Sequence, residues 1–592
     1  MHRLGISVLA VALTLPLVAA GCYSTGDGTA PPGNTLYFPV GLAVSPGGSV
    51  LYAVNSDFDL QWNGGTLQSY DLTLIRQHAL VTIANPNDPV LPQGRAGSLP
   101  SGGLGSCSAT APIYKTDGSG TRQALGESCS PPVDSTFYVR DSAIIGAFAT
   151  DLQRSRCAPK ACLTNRLFVP VRGDASLTWA NIESDLGADG TPLAPPAEKS
   201  GAYAPFRIDC GPRVDNRCDA AHHAGTNPNE PGNTRNVTLP GEPFGMAQSE
   251  DGQTIAITHQ NDTKTSLFAT GMSATATEPP SLQFVLDGLP VGGNGIVAVP
   301  HDPAAFPDPA QRPRPAFLQT SRAATELDLI RYYSDSGDRD TSSLPRPFLL
   351  KEASFPLTVN AGGQDSRGIV IDSTPRIGCK LAVKPLGPGR AQADVDADNA
   401  TCARLPARVF FANRSPASML TGEIGEPSRS GDTTFDADRL LVFGNVPLSF
   451  GPSKLYLAPI VDAAGRYALR VFIVCFDAAS IFIYDPDAGK VENIIRVGAG
   501  PFAMAFDPFD LADVAARIPV PQDSRVQAIA AGAAKPDLKK YRFAYIASFT
   551  NSFVQVLDLD NARVDAAGTP DKSTFEKVVF TLGVPTLPKG SH

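Results

Sequence analysis

Pro39-Val40-Gly41-Leu42-Ala43-Val44-Ser45 runs into the turn Pro46-Gly47-Gly48, then into Val50-Leu51-Tyr52-Ala53-Val54-Asn55 and Thr66-Leu67-Gln68-Ser69-Tyr70-Asp71-Leu72. Short β-branched and aromatic runs separated by Pro and Gly predict strands joined by tight turns. The phrase returns at Pro243-Phe244-Gly245-Met246-Ala247-Gln248-Ser249, with Glu250-Asp251-Gly252 as turn and Thr254-Ile255-Ala256-Ile257-Thr258 behind it. It returns again at Pro501-Phe502-Ala503-Met504-Ala505-Phe506-Asp507, with Phe543 to Ser548 and Phe553 to Leu559 downstream. Weaker copies read at Ala143 to Ala149 with Arg166 to Val171, Gly295 to Val299 with Ala316 to Thr320, Gly368 to Asp372 with Arg408 to Ala412, and Pro452 to Ala458 with Val471 to Phe476.

Seven copies of a three-strand phrase predict an all-β, seven-bladed β-propeller, in which each blade buries its faces against its neighbours. An open pair of β-sandwiches with repeated turns is the alternative. A blade needs only about 40 to 50 residues, so the remaining length is assigned to loop insertions near 73–135, 185–235 and 373–405. The propeller is expected over 36–583, after a tether at 22–35 and before a tail at 584–592.

The phrase resembles the YVTN-type β-propeller repeats of bacterial surface and periplasmic proteins. Asn55, Asn551, Asp71 and Asp558 stand at the matching positions, and Val471 to Pro508 reads as one nearly continuous unit. The resemblance implies seven blades and carries no fixed activity, since one fold hosts many functions.

The first residues carry a different signal. Met1-His2-Arg3, an apolar run from Leu4 to Leu17 and Val18-Ala19-Ala20-Gly21-Cys22 form a cationic start, a short hydrophobic segment and a small-residue cleavage point. This resembles a bacterial lipobox, which implies removal of residues 1–21 as signal peptide and lipidation of Cys22. Tyr23 stands where Asp would resemble an inner-membrane retention signal, so an outer-membrane lipoprotein is expected, with the membrane as partner through Cys22.

With 54 glycines and 53 prolines in 592 residues, the composition is that of a turn-rich β protein. A net charge of −9 and the lack of a basic stripe argue against nucleic acid. Of the ten cysteines, eight fall into close neighbours: Cys107 with Cys129, Cys157 with Cys162, Cys210 with Cys218, and Cys379 with Cys402. An oxidising compartment favours loop-stapling disulfides, although spacing alone leaves connectivity open. A metal site is the rival reading, disfavoured because only His222 and His223 accompany any cysteine and no CxxC occurs. Cys475, inside Val471-Phe472-Ile473-Val474-Cys475-Phe476, reads as a buried strand residue.

Residues following each second strand should share one rim. There Arg172, Arg322 and Arg414 recur, and guanidinium forks converging on a central mouth would suit a small carboxylate or phosphate. Pairing of each with an Asp between blades is the competing reading. Arg172-Gly173-Asp174 also spells an adhesion tripeptide, too short to be specific. Asp394-Val395-Asp396-Ala397-Asp398-Asn399 has calcium-loop spacing, but position six lacks Gly and position twelve is Leu405, so a solvated acidic loop is expected. No Gly-x-Ser-x-Gly, His-Glu-x-x-His or P-loop occurs. The expected function is binding or scaffolding on the envelope, with no cofactor, toward an anionic ligand or an envelope protein. A lactonase-like or quinoprotein-like enzyme using the central channel is the alternative.

Overall fold

A computed structural model describes residues 28–84, 132–156, 165–193, 203–272, 277–306, 312–334, 346–357, 364–425, 438–520, 542–564 and 574–583, with the short pieces 114–116, 122–124, 308, 568–570 and 572. The chain is an all-β, seven-bladed propeller. Blade 1 is Pro39–Val44, Val50–Asn55, Gly65–Asp71 and Val139–Ile145; blade 2 is Gln153–Arg154, Asn165–Val171, Ser176–Ile182 and His223–Ala224. Blade 3 is Pro243–Gln248, Thr254–His259, Thr265–Ala269 and Ser281–Leu286; blade 4 is Gly293–Ala298, Ala316–Ser321, Glu326–Ser334 and Pro347–Pro356. Blade 5 is Gln364–Asp372, Ala407–Ser415, Ala417–Gly425 and Arg439–Pro447; blade 6 is Pro452–Val461, Tyr467–Cys475, Ser480–Asp485 and Lys490–Arg496. Blade 7 is Pro501–Phe506, Phe543–Ser548, Phe553–Asp558 and Val578–Leu582.

The apolar alternation predicts where burial falls. Second and third strands are almost wholly buried, and separate hydrophobic clusters fill the gaps between neighbouring blades. Leu51, Tyr545 and Val556 join blades 1 and 7, for example, and Leu318, Leu327 and Val409 join blades 4 and 5. Blades therefore stack as sheets on sheets, with no single central core.

The Pro-x-Gly phrase has a steric reason. Glycine places no side chain between adjacent first strands, which lie against one another around the axis. A Cβ at Gly245 would sit 1.8 Å from the Asn294 carbonyl oxygen, at Gly295 2.3 Å from that of Arg367, and at Gly41 2.5 Å from Leu152 Cβ. Each first strand of blades 1 and 3 to 7 also shifts register at this point, as between Pro39 and Gly41 or Pro243 and Met246. The bulge turns the residue beside the glycine toward the axis.

The ring is closed by an internal strap. Pro132–Val133, from the insertion of blade 1, pairs in parallel with Val578–Leu582 of blade 7. Helix Leu72–Ala84 packs beneath it, and its Arg76 binds Asp507 of blade 7 through an ion pair and a 3.0 Å Nε–Oδ1 bond. Tyr545 donates to the same Asp507 oxygen at 2.8 Å. His78 of that helix meets the Tyr138 hydroxyl at 2.5 Å, and burial pushes its pKa down to about 3, so it is a neutral packing residue.

Several expectations are corrected. Val139–Ile145 is the outer strand of blade 1, because its apolar residues pair with Gly65–Asp71; the first strand of blade 2 is Gln153–Arg154. Val471 to Pro508 spans outer strands of blade 6 and the first strand of blade 7. The insertions contain regular elements: 73–135 starts in the buried helix, whose N–H at Leu74 is capped by Asp71 at 3.0 Å. The segment 185–235 supplies the outer strand of blade 2, and 373–405 forms helices Thr374–Ala382 and Gln392–Ala403. Asp394 to Asn399 thus lies on a helix, where Asp396 and Asp398 accept from Gln392 and Arg390. Helical rise separates these carboxylates from a loop's common centre.

Cys210 is bonded to Cys218 and Cys379 to Cys402, with Cα separations of 5.1 and 5.4 Å. Cys22, Cys107, Cys129, Cys157 and Cys162 lie outside the described residues. Cys475 is a buried free thiol whose pKa burial pushes up to about 12.

Candidate functional site at the channel mouth

All second strands end, and all first strands begin, on one face of the ring, around a cavity of about 420 Å³ lined from all seven blades. The residue one place before the glycine position lines it repeatedly: Val40, Phe244, Asn294, Arg367, Ser453 and Phe502. This signal stands in the repeat itself, though the rim alignment behind the second strands passes it by. From that alignment come Ser56, Arg172, Gln260, Arg322, Arg414, Phe476 and Asp477, and Phe58 and Phe549 stand just beside its positions.

The three expected arginines therefore open on one face. Each is also engaged by the next blade: Arg172 by Glu242, Arg322 by Asp365 at 3.6 Å, and Arg414 by Asp477 at 2.6 Å. A clamp of three unpaired guanidiniums is accordingly not what the mouth presents. Asp174 is held by His223 and Ser176 at 2.7 Å each, so the Arg-Gly-Asp tripeptide is bound into the blade. His259, the last residue of its strand, is buried beneath the rim between Gly241 O at 2.9 Å and Ser266 Oγ at 2.8 Å.

Two further cations were not expected. Arg367 shares Asp365 with Arg322, its Nη2 donating at 2.9 Å. Burial lowers its pKa, Asp365 opposes, and the charges of Arg322 and Arg414 add to the fall. Lys454 occupies the place that glycine holds in other blades, so its side chain extends into the axis and meets Asp151 of blade 2 at 3.1 Å. Its ammonium lies 4.5 Å from the Phe502 ring centroid, and Asp151 holds its pKa up against the cost of burial. A deeper chamber of about 260 Å³ shares Lys454, Asn294 and Phe244 with the mouth, so the Lys454–Asp151 strut lies at the boundary between the two.

The arc formed by blades 6, 7 and 1 is aromatic, with Lys454 at its edge. Phe549 packs on Phe58 at 5.3 Å, Phe502 at 5.9 Å and Phe476 at 6.0 Å, and Phe58 meets Phe148 edge-on at 6.0 Å. Phe58 is 50% exposed, and Phe148 is held at φ +61°, a strained conformation for a bulky residue. Beside them Asp57 is buried at φ +50° with Oδ2 unbonded, and burial raises its pKa to about 6.

No family model and no curated protein matches the sequence. Among solved structures, the chain is similar to a putative 6-phosphogluconolactonase from Bacteroides uniformis, at 12% identity and TM-score 0.35, over 78% of this chain and 86% of that one. It is similar to the periplasmic gluconolactonase of Pseudomonas aeruginosa, at 12% identity and TM-score 0.34, over the same shares. Hydrazine synthase of Kuenenia stuttgartiensis matches at 10% identity and TM-score 0.37, over 91% of this chain and 98% of that one. By its own strand order, the chain is a seven-bladed β-propeller whose blades converge on one lined mouth.

Proposed function

We propose that this chain is an outer-membrane lipoprotein, anchored through Cys22, whose propeller is a binding or scaffolding domain with its ligand at the channel mouth. The observation that carries the reading is a single concave cavity, of the size usual for small-molecule sites, to which every blade contributes. The lactonase-like or quinoprotein-like alternative asks for carboxylates or metal ligands converging there. Of the carboxylates around this mouth, Glu242, Asp365, Asp477 and Asp151 are each committed to an Arg or Lys, and Asp57, paired with no cation, is buried with its Oδ1 accepting from Trp62 N–H at 3.2 Å. That commitment favours binding over chemistry.

Fractionation tests the anchor. Two or three acyl chains give stable membrane attachment where one gives only marginal binding. Wild type should sediment with outer membranes on a density gradient, and Cys22→Ala should become soluble or remain as unprocessed precursor. A variant that reaches the outer membrane and resists high salt overturns the anchor.

A further inference from the structure

From the division of the mouth into an aromatic arc and a cationic arc, we infer that its ligand is an amphipathic anion: a flat apolar body bearing one carboxylate or phosphate group. This deepens the binding function proposed above and rests on it.

The charge balance supports the single acid group. Five cations line the cavity, Arg172, Arg322, Arg367, Arg414 and Lys454. Four carboxylates pair with them, since Asp365 serves both Arg322 and Arg367, and Asp57 forms an ion pair with none of the five. The surplus lies at Arg322. Its partner is 3.6 Å away and held more closely by Arg367, and its side chain is 42% exposed. A guanidinium so placed can form a forked pair with an incoming acid at little cost in existing bonds. Asn294, 6% exposed, lines the same cavity with its side-chain Nδ2 unbonded, a donor without a protein acceptor. Such groups are seldom left unpaired in a finished interior.

The apolar body follows from the other side. Phe58, Phe476, Phe502 and Phe549 come from blades 1, 6 and 7, whereas three of the five cations, Arg322, Arg367 and Arg414, come from blades 4 and 5; Arg172 of blade 2 and Phe244 of blade 3 line the wall between, and Lys454 of blade 6 lies against Phe502. A hydrated inorganic anion would leave the phenyl arc wet, and a neutral arene would leave the surplus charge unanswered. A molecule with both parts satisfies each wall.

Calorimetric titration of the mature protein with 2-naphthoate, 2-naphthamide, acetate and inorganic phosphate tests the class. Naphthoate should bind at least about tenfold more tightly than the amide, the worth of one charged hydrogen bond, and acetate and phosphate should bind weakest. Arg322→Gln should erase the preference for naphthoate over the amide. Phe58→Ala, at a half-exposed ring, should weaken both aromatic probes, and unchanged circular dichroism confirms that both variants fold. If the amide, acetate or phosphate binds as tightly as naphthoate and either variant abolishes it, the class is wrong while the mouth stands as a site. If no probe binds, or binding ignores both variants, the class and the mouth as binding site fall together.

Discussion

Replacing Gly245 with Ala should separate blades 3 and 4. The added Cβ would sit 1.8 Å from the Asn294 carbonyl oxygen and 3.1 Å from Thr258 Oγ1, where Cβ contacts below 3.0 Å essentially do not occur. Both colliding groups are fixed, the carbonyl by its strand and Thr258 by its 2.9 Å bond from Gly245 N–H. Relief therefore needs a backbone shift of more than 1 Å, roughly, between two packed sheets. Overpacking costs typically about 1–3 kcal/mol, more when no side chain can yield, so about 3–5 kcal/mol is expected. With an unfolding entropy of about 2.1 cal/mol/K per residue over roughly 550 residues, that lowers Tm by about 3–4 °C. Scanning calorimetry of Gly245→Ala, Gly295→Ala and Gly241→Ala, with disulfides intact, gives a graded series. The Cβ at Gly295 would lie 2.3 Å from Arg367 O, and that at Gly241 meets nothing within 4 Å. Losses should fall in that order, with Gly241→Ala near wild type. Gly245→Ala as stable as Gly241→Ala would refute the view that these glycines set the spacing of the blades.

Asp57→Asn should stabilise the protein at alkaline pH. The folded pKa of about 6 lies above the ordinary 3.8, so the unfolded state ionises first and the penalty grows between those values, reaching at most about 3 kcal/mol above pH 6. Asn tolerates the left-handed backbone there, and its gain in Tm should be clear at pH 8 and vanish below about pH 4; a gain independent of pH contradicts the reading. Asp507→Asn should cost about 3–5 kcal/mol by leaving Arg76 charged and buried, whereas Arg76→Met with Asp507→Leu should cost less; urea titration at pH 7 distinguishes them. Non-reducing peptide mapping should recover Cys210–Cys218 and Cys379–Cys402, together with Cys107–Cys129 and Cys157–Cys162, and leave Cys475 alkylated only after denaturation. A peptide joining Cys107 to Cys157 would defeat the local-pairing rule.

The fold was readable because its spacing rule is local. Gly41, Gly245 and Gly368 admit a neighbouring strand, and such a requirement repeats wherever a first strand does. The outer strands were harder to read. Val139–Ile145 is separated from its partner by the insertion after Asp71, and its alternation looks like that of any strand, so in sequence it reads as opening the next blade. Helix Leu72–Ala84 is buried nearly all round, Arg76, His78 and Thr82 included, and gives no amphipathic stripe. At the mouth, positions shared by all blades exposed Arg172, Arg322 and Arg414 to sequence comparison. Their carboxylate partners stand on the following blade, as Glu242, Asp365 and Asp477 do, where only tertiary contact reveals them. Lys454 departs from the repeat at its glycine position, so a comparison of what the copies share passes it by.

The first described residues have a consequence for access. Thr29 O accepts from Asn63 N at 2.9 Å, in the mouth-side connection of blade 1 that also carries Phe58 and Leu60. The chain from Cys22 to Gly28 can reach at most about 20 Å when fully extended. A lipid on Cys22 would hold this edge of the mouth close to the bilayer, so solutes partitioned into the lipid interface would meet the opening by diffusion in two dimensions. Solutes free in the aqueous space would have to enter the narrow gap beneath the protein first. Lengthening residues 23–27 with a Gly-Ser linker would then alter uptake of membrane-partitioned compounds more than that of water-soluble ones.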